Sequence, residues 1–143
     1  MAGAGEITGR CLCGAVTLRA VPVSPEVSVC HCTMCRRWTG GVFACFEAGA
    51  RDVTAEGPVA TYVSSSFSER GFCGTCGSHL WIRDADGRYD LMPGLFDDAQ
   101  DFVLHHVVYA DRAPAYAPVP DGVPTRSAEE YEAVQPHVAG VPE

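Results

Sequence analysis

Lysine and asparagine are missing from this chain, and all ten of its basic residues are arginine. Without lysine there is no Schiff-base amine and no phosphate-loop lysine; without asparagine there is no Asn-linked glycan. No apolar run approaches the ~20 residues that cross a bilayer. Residues 1–10 lack the basic stretch followed by an apolar one that marks a signal peptide, so a soluble, cytoplasmic protein is expected. Positive charge is scarce as well. Ten basic against eighteen acidic residues leave a formal charge of −8. That balance argues against nonspecific nucleic-acid binding and against an anionic membrane surface, both of which need clustered cations.

Long helical periodicity is also lacking before Ala99, which favours a mostly β chain. The chain has 143 residues, 47% of them hydrophobic, which suits one domain with a buried core. Fifteen glycines and ten prolines cut it into short segments. Between them lie runs rich in Val, Thr, Phe and Tyr at 15–20, 27–30, 42–46, 59–64, 79–83 and 102–109. Val16 and Leu18 alternate with Thr17 and Arg19, as in a half-buried strand. Residues 33–39 suit a short helix, and Ser127 with Glu130 matches a capping box that opens another. Four prolines make 113–124 an extended strap, and the tail from Pro136 is expected to fray.

Cysteine is what the chain has in quantity. Eight in 143 is below the roughly 8–10% of a short disulfide scaffold. Seven of the eight are clustered, which suits shared metal ions in a reducing compartment better than bridges between distant strands. Cys11-Leu12-Cys13 and Cys73-Gly74-Thr75-Cys76 each offer two thiolates, and together they make the tetrahedral set of a structural zinc. Two buried reduced pairs, or a redox dithiol at Cys73/Cys76, are the competing readings. Cys30-His31-Cys32-Thr33-Met34-Cys35 places three thiolates within six residues. They can cap one face of a zinc ion and leave its fourth position open, as in catalytic sites. A closed site, with Cys45, His31 or a more distant residue as fourth ligand, fits the spacing equally well. His31, between two ligand cysteines, is expected to pack beside the metal rather than bind it. Cys45 sits in an apolar run and reads as a buried, inert thiol.

Seven thiolates on two zinc dications would add three negative charges to the formal −8, so an anionic ligand needs local arginines. Arg36 and Arg37 follow the three-cysteine cluster directly, and Arg70 lies just before Cys73. Each can hold a carboxylate in two-pronged fashion, or can equally be a solvated surface group or a partner of the thiolates.

These motifs, in this order, resemble the glutathione-dependent formaldehyde-activating enzyme family, which includes centromere protein V-like proteins. The matching stretches are 9–16 (GRCLCGAV), 30–36 (CHCTMCR) with Gly40 after it, Ser64-Ser65, and 70–78 (RGFCGTCGS) with Leu80 following. His105 to Tyr109 and Asp121-Gly122-Val123-Pro124 are similar to the family's closing strand and end. Tyr116 stands where many relatives carry Trp, and His79 where a small or apolar residue is commoner.

The resemblance implies an all-β fold of antiparallel sheets, the zinc-bound β-tent, here over residues 6–125. A C-terminal extension, 126–143, adds a short helix and a frayed tail. It implies two zinc ions: a structural one on Cys11, Cys13, Cys73 and Cys76, and a catalytic one on Cys30, Cys32 and Cys35, which favours the open site. The implied activity is a carbon–sulfur lyase that joins glutathione or another small thiol to formaldehyde or another small electrophile, with Arg36, Arg37 and Arg70 as substrate-binding candidates. A noncatalytic zinc module for protein contacts, or a redox sensor, is the alternative.

Overall fold

The computed structural model describes residues 5–139. In chain order the elements are β1 (Ile7–Arg10), β2 (Thr17–Pro22), β3 (Glu26–Cys30), α1 (Thr33–Thr39), β4 (Phe43–Glu56), β5 (Val59–Val63), β6 (Ser68–Cys73), β7 (His79–Asp84), β8 (Tyr89–Leu91), β9 (Val103–Val108), β10 (Thr125–Arg126) and α2 (Ala128–Val134). The chain divides into two compact units, Met1–Glu26 with Cys45–Val103, and Val27–Ala44 with Leu104–Glu143. The fold is mostly β, with two short α-helices among the described residues, as the sequence predicts.

In the first unit the strands lie in the order β1-β2-β4-β8-β7-β6-β5. Each neighbouring pair is antiparallel. Alternation does what the period of two demands: Leu18, Ala20 and Pro22 of β2 are buried, while Thr17, Arg19 and Val21 face out. Phe46 meets the buried Phe96 edge-on at 5.3 Å and the half-buried Phe102 at 5.6 Å, and Leu80 and Leu91 are fully buried too. Two glycines mark where backbones must approach. Gly57 has φ +115° and lies against the Ala15 carbonyl, so a side chain there meets backbone on one side and a strained conformation on the other. Gly71 leaves room for the Trp81 ring, which a Cβ would meet at 2.5 Å, and the ladder shifts register between Gly71 and Phe72.

The second unit orders its strands β3-β9-β10. One short parallel pair joins the expected antiparallel pairing here, β10 beside β9. Its two residues are reached from β9 through the proline-rich stretch, long enough to return the chain in the same direction. Helix α1 starts where Cys32 caps it and ends at Gly40, whose left-handed φ of 78° lets its N–H bond the Arg36 carbonyl at 2.8 Å. Helix α2 opens on the predicted capping box: Glu130 N–H donates to Ser127 Oγ at 3.1 Å, and Ser127 N–H donates to Glu130 Oε1 at 2.8 Å. Pro136–Val138 forms a further tight turn, and residues 140–143 of the expected frayed tail lie outside those described. No helix among the described residues is long and apolar enough to cross a membrane.

One carboxyl sits badly in the first unit. Asp90 of β8 is half-buried and stands directly opposite Glu47. Desolvation first, then the charges of Asp84, Glu47 and Asp86, push its pKa up to about 7, against the opposing pull of Arg88. A value raised in the folded state means the folded chain holds the proton more tightly than the unfolded one. The group's contribution is therefore complete below about 4 and is lost as pH rises towards about 7. Asp90→Asn should then gain stability relative to the parent chain as pH rises through that window, read as urea midpoints at saturating zinc from about pH 5.5 to 8; a pH-independent difference would contradict it.

Candidate metal centres

Two groups of side chains offer ligand atoms that all lie within 4.8 Å of one another: Cys11, Cys13, Cys73 and Cys76 in the first unit, and Cys30, Cys32 and Cys35 in the second. All eight cysteines are free thiols. The two groups are those predicted from the spacing.

The four-sulfur group is assembled by two tight turns. Gly14 N–H bonds the Cys11 carbonyl and Gly77 N–H bonds the Cys73 carbonyl, with φ of 80° at Gly14 and 79° at Gly77. Each turn aims backbone N–H groups at sulfur: Val16 on Cys11 at 3.3 Å, Ala15 on Cys13 at 3.5 Å, and Thr75 and Cys76 on Cys73 at 3.4 Å. Ser78 links the turns, because its Oγ accepts from Leu12 N–H at 3.0 Å and lies 3.2 Å from Cys76 Sγ. The Arg10 guanidinium bonds the carbonyls of Cys11 and Leu12, steadying the first turn.

These sulfurs fit a zinc ion. A tetrahedron with Zn–S near 2.3 Å has edges of about 3.8 Å. Cys11 Sγ stands 3.6 Å from Cys13 Sγ, and Cys13 Sγ stands 3.9 Å from Cys73 Sγ. The amides that face the sulfurs are those a thiolate set uses. Electrostatics point the same way. The Ser78 hydroxyl, then the amides of Ser78 and Cys13, pull Cys76 down to about 5. Against the pull of the Ala15 amide, burial and the neighbouring sulfurs push Cys13 up to about 11. Against its burial, the Val16 amide and the sulfurs of Cys13 and Cys73 lower Cys11 as well. Some sulfurs of the set thus take negative charge readily while Cys13 resists it, a conflict that a dication would resolve.

The three-sulfur group is built from the end of β3 and the start of α1. Cys32 caps the helix, its Sγ accepting from Cys35 N–H at 3.3 Å. Cys35 is buried one turn on, and Cys30 closes the set as the last residue of β3. Cys32 and Cys35, then burial, push the Cys30 thiol well up. Among the described residues this group has three members. His31, between Cys30 and Cys32, is 6% exposed, and its N–H bonds the Val108 carbonyl at 3.1 Å. Burial lowers its pKa, in keeping with a packing role. Cys45 is buried on β4, in the first unit. Of the arginines singled out, Arg36 and Arg37 are exposed on α1, in the unit of the three-cysteine group. Arg70 lies on β6 in the other unit and is 3% exposed.

The residues that sequence reasoning missed lie in the unit of the three-sulfur group. The Tyr109 hydroxyl donates to Glu132 Oε2 at 2.9 Å, and Asp111 Oδ1 accepts from Ala128 N–H at 2.8 Å. Burial, then the Glu132 carboxylate, raise the Tyr109 pKa, so its hydroxyl keeps its proton. No short-range pattern announces contacts that span so much chain.

Residues 6–112 match the family model described as glutathione-dependent formaldehyde-activating enzyme. The chain belongs to that family. It is 35% identical over 112 residues to an uncharacterized lyase of Schizosaccharomyces pombe, covering 76% of this chain and 82% of the relative. A putative glutathione-dependent formaldehyde-activating enzyme of Halomonas elongata is 34% identical over 88 residues, 54% of this chain and 56% of that protein. In fold, the chain is similar to a Rhodobacter sphaeroides protein of known crystal structure, with TM-score 0.58 and 19% identity over 68% of this chain and 99% of that one.

The two sulfur groups should respond differently to mutation. The intact protein is expected to hold about two zinc ions per chain and Cys32→Ser about one, with melting behaviour nearly kept. Cys73→Ser should lower the melting temperature sharply, because it removes the tie between two distant parts of the first unit. Metal content by plasma emission, paired with calorimetry, checks both; equal thermal losses in the two variants would contradict the assignment.

Proposed function

We propose that this member of the family is a zinc-dependent carbon–sulfur lyase that adds a low-molecular-weight thiol, such as glutathione, to formaldehyde or a similar small electrophile. The observation that carries the reading is the inequality of the two sulfur groups, four donors in one and three in the other. A set of four closes a tetrahedron; a set of three leaves a position for an exchangeable ligand. When bound at Cys30, Cys32 and Cys35, zinc would supply Lewis acidity that lowers the pKa of an incoming thiol and orients it.

The chain's own residues have two tasks in this scheme. Cys30, Cys32 and Cys35 form the catalytic centre, on a strand end and a helix start that hold the sulfurs close. Arg36 and Arg37, exposed beside Cys35, would hold a carboxylate of the thiol against a net charge of −8. Arg70, buried on β6, is less suited to a solvated carboxylate, so this role falls first to the α1 pair. In the reaction the sulfur forms a bond to the aldehyde carbon, the C=O π bond opens, and the thiol proton ends on the carbonyl oxygen. No oxidant or reductant is needed. Eight free cysteines suit a reducing compartment such as the cytoplasm.

With glutathione and ¹³C-labelled formaldehyde, zinc-loaded protein should speed formation of the S-hydroxymethyl adduct above the spontaneous rate, followed by NMR exchange spectroscopy. Cys35→Ser should return the rate to background. Arg36→Ala with Arg37→Ala should raise the thiol KM by about tenfold or more with kcat little changed, the scale of a lost charge-assisted contact. Background rates with zinc-loaded protein across a panel of small thiols would overturn the proposal.

A further inference from the structure

Helix α2 lies beyond the residues matched by the family model, 6–112, yet it is fastened at several points to the unit that carries the three-cysteine group. β10, just before it, pairs Thr125 with Val107 and Arg126 with Val108. The Ala128 amide is held by Asp111, and Glu132 accepts from the Tyr109 hydroxyl. The Tyr131 and Tyr109 rings lie 5.5 Å apart. A helix of seven residues is too short to persist in water alone, so these contacts and the capping box are what order it.

Tyr109 is the residue on which they converge. Its φ of 56° is the one left-handed backbone at a non-glycine position among the described residues. Such a conformation is strained for a residue with a side chain and persists only where the surroundings over-determine it. Here they do. The ring is 5% exposed, the Arg112 guanidinium lies 5.1 Å above its centre, and Glu132 holds the hydroxyl. Val108, Tyr109 and Ala128 form a small buried cluster against which Cys30, Cys32 and Tyr131 pack. The amide of His31, between those two cysteines, bonds the Val108 carbonyl. Thus the turn at Val108–Tyr109 holds the backbone at His31, between two of the three cysteines, and packs against both of them, while α2 grips the turn.

We infer that Tyr109 and Glu132 are a positioning pair for the three-cysteine centre, with α2 as the strap that closes it. Their hydrogen bond holds the Cys30-His31-Cys32 segment so that its sulfurs stay at ligand spacing from Cys35. Neither residue touches substrate; both act through the cysteines. The inference rests on the reading of Cys30, Cys32 and Cys35 as a metal centre, and assigns to the C-terminal extension a part in it. Loss of such an outer partner commonly weakens metal binding by about 10–100-fold.

The test is a competitive chelator titration of full-length protein, read as the metal affinity of each centre. Tyr109→Phe and Glu132→Ala should each weaken the three-cysteine centre by about tenfold or more. The double variant should lose little more than either single one, because one hydrogen bond is broken only once. Glu132→Gln, whose side-chain carbonyl can still accept from Tyr109, should restore most of the affinity. Cobalt(II) loaded at this centre should show shifted ligand-field bands in the Phe and Ala variants but not in the Gln variant. In a Cys32→Ser background, which keeps only the four-sulfur centre, Tyr109→Phe should change nothing. Affinities within about twofold of the parent, equal losses at both centres, or a Gln variant as weak as the Ala variant would each overturn the inference. Two bound metals with an indifferent Tyr109→Phe would refute this inference alone. A parent chain that binds only one metal would refute both it and the functional reading.

Discussion

Like charges at close range are the constraint on which this structure turns. Seven thiols are gathered into two small volumes without a disulfide among them. Ionised sulfurs at 3.6 to 3.9 Å, as in the four-sulfur group, repel one another. Against the pull of the Ala15 amide, burial and then the neighbouring sulfurs raise Cys13, and the neighbouring sulfurs and then burial raise Cys30, while Cys11 and Cys76 are lowered. The backbone counters part of this by aiming N–H groups at Cys11, Cys13, Cys32 and Cys73. A dication would supply the rest. In the four-sulfur group it would also join the turn after β1 to the turn after β6, a closure across 60 residues that apolar packing alone makes weakly.

The two groups differ in how they are framed as well as in number. The four-sulfur group sits on two glycine-bearing turns, a device whose geometry is set locally. The three-sulfur group is set by a strand end and a helix cap, and its neighbours come from Val108 onward in the chain. A centre supported by distant partners can be tuned by them, which suits a reactive site better than a rivet. The same unit carries exposed Arg36 and Arg37, local positive charge in an otherwise acidic chain.

The two cysteine groups were legible in the sequence because the spacing of cysteines within a turn is a local property, and so were α1 and the capped start of α2. Strands with plain apolar content, such as β5, β7 and β9, were legible too. β6 was not, since its buried positions include Ser68 and Arg70, residues that normally face water. The far half of β4 carries Gly49, Arg51 and Asp52, poor strand formers kept extended by their pairing with β2. β8 and β10, of three and two residues, are too short to show a period. Nothing local signals that the chain leaves its first unit at Val27 and returns at Cys45, or that Tyr109 adopts a left-handed backbone to meet Glu132.

The central claim is that one metal has four protein sulfurs and the other three. Zinc-edge X-ray absorption on fully loaded protein tests it most directly, because sulfur and lighter ligands scatter at different distances. The account predicts a mean of about 3.5 sulfurs per zinc, rising towards about 4 when a small thiol is added. A mean of about 4 before any thiol is added, unchanged afterwards, would mean that both centres are closed by the protein and would contradict it.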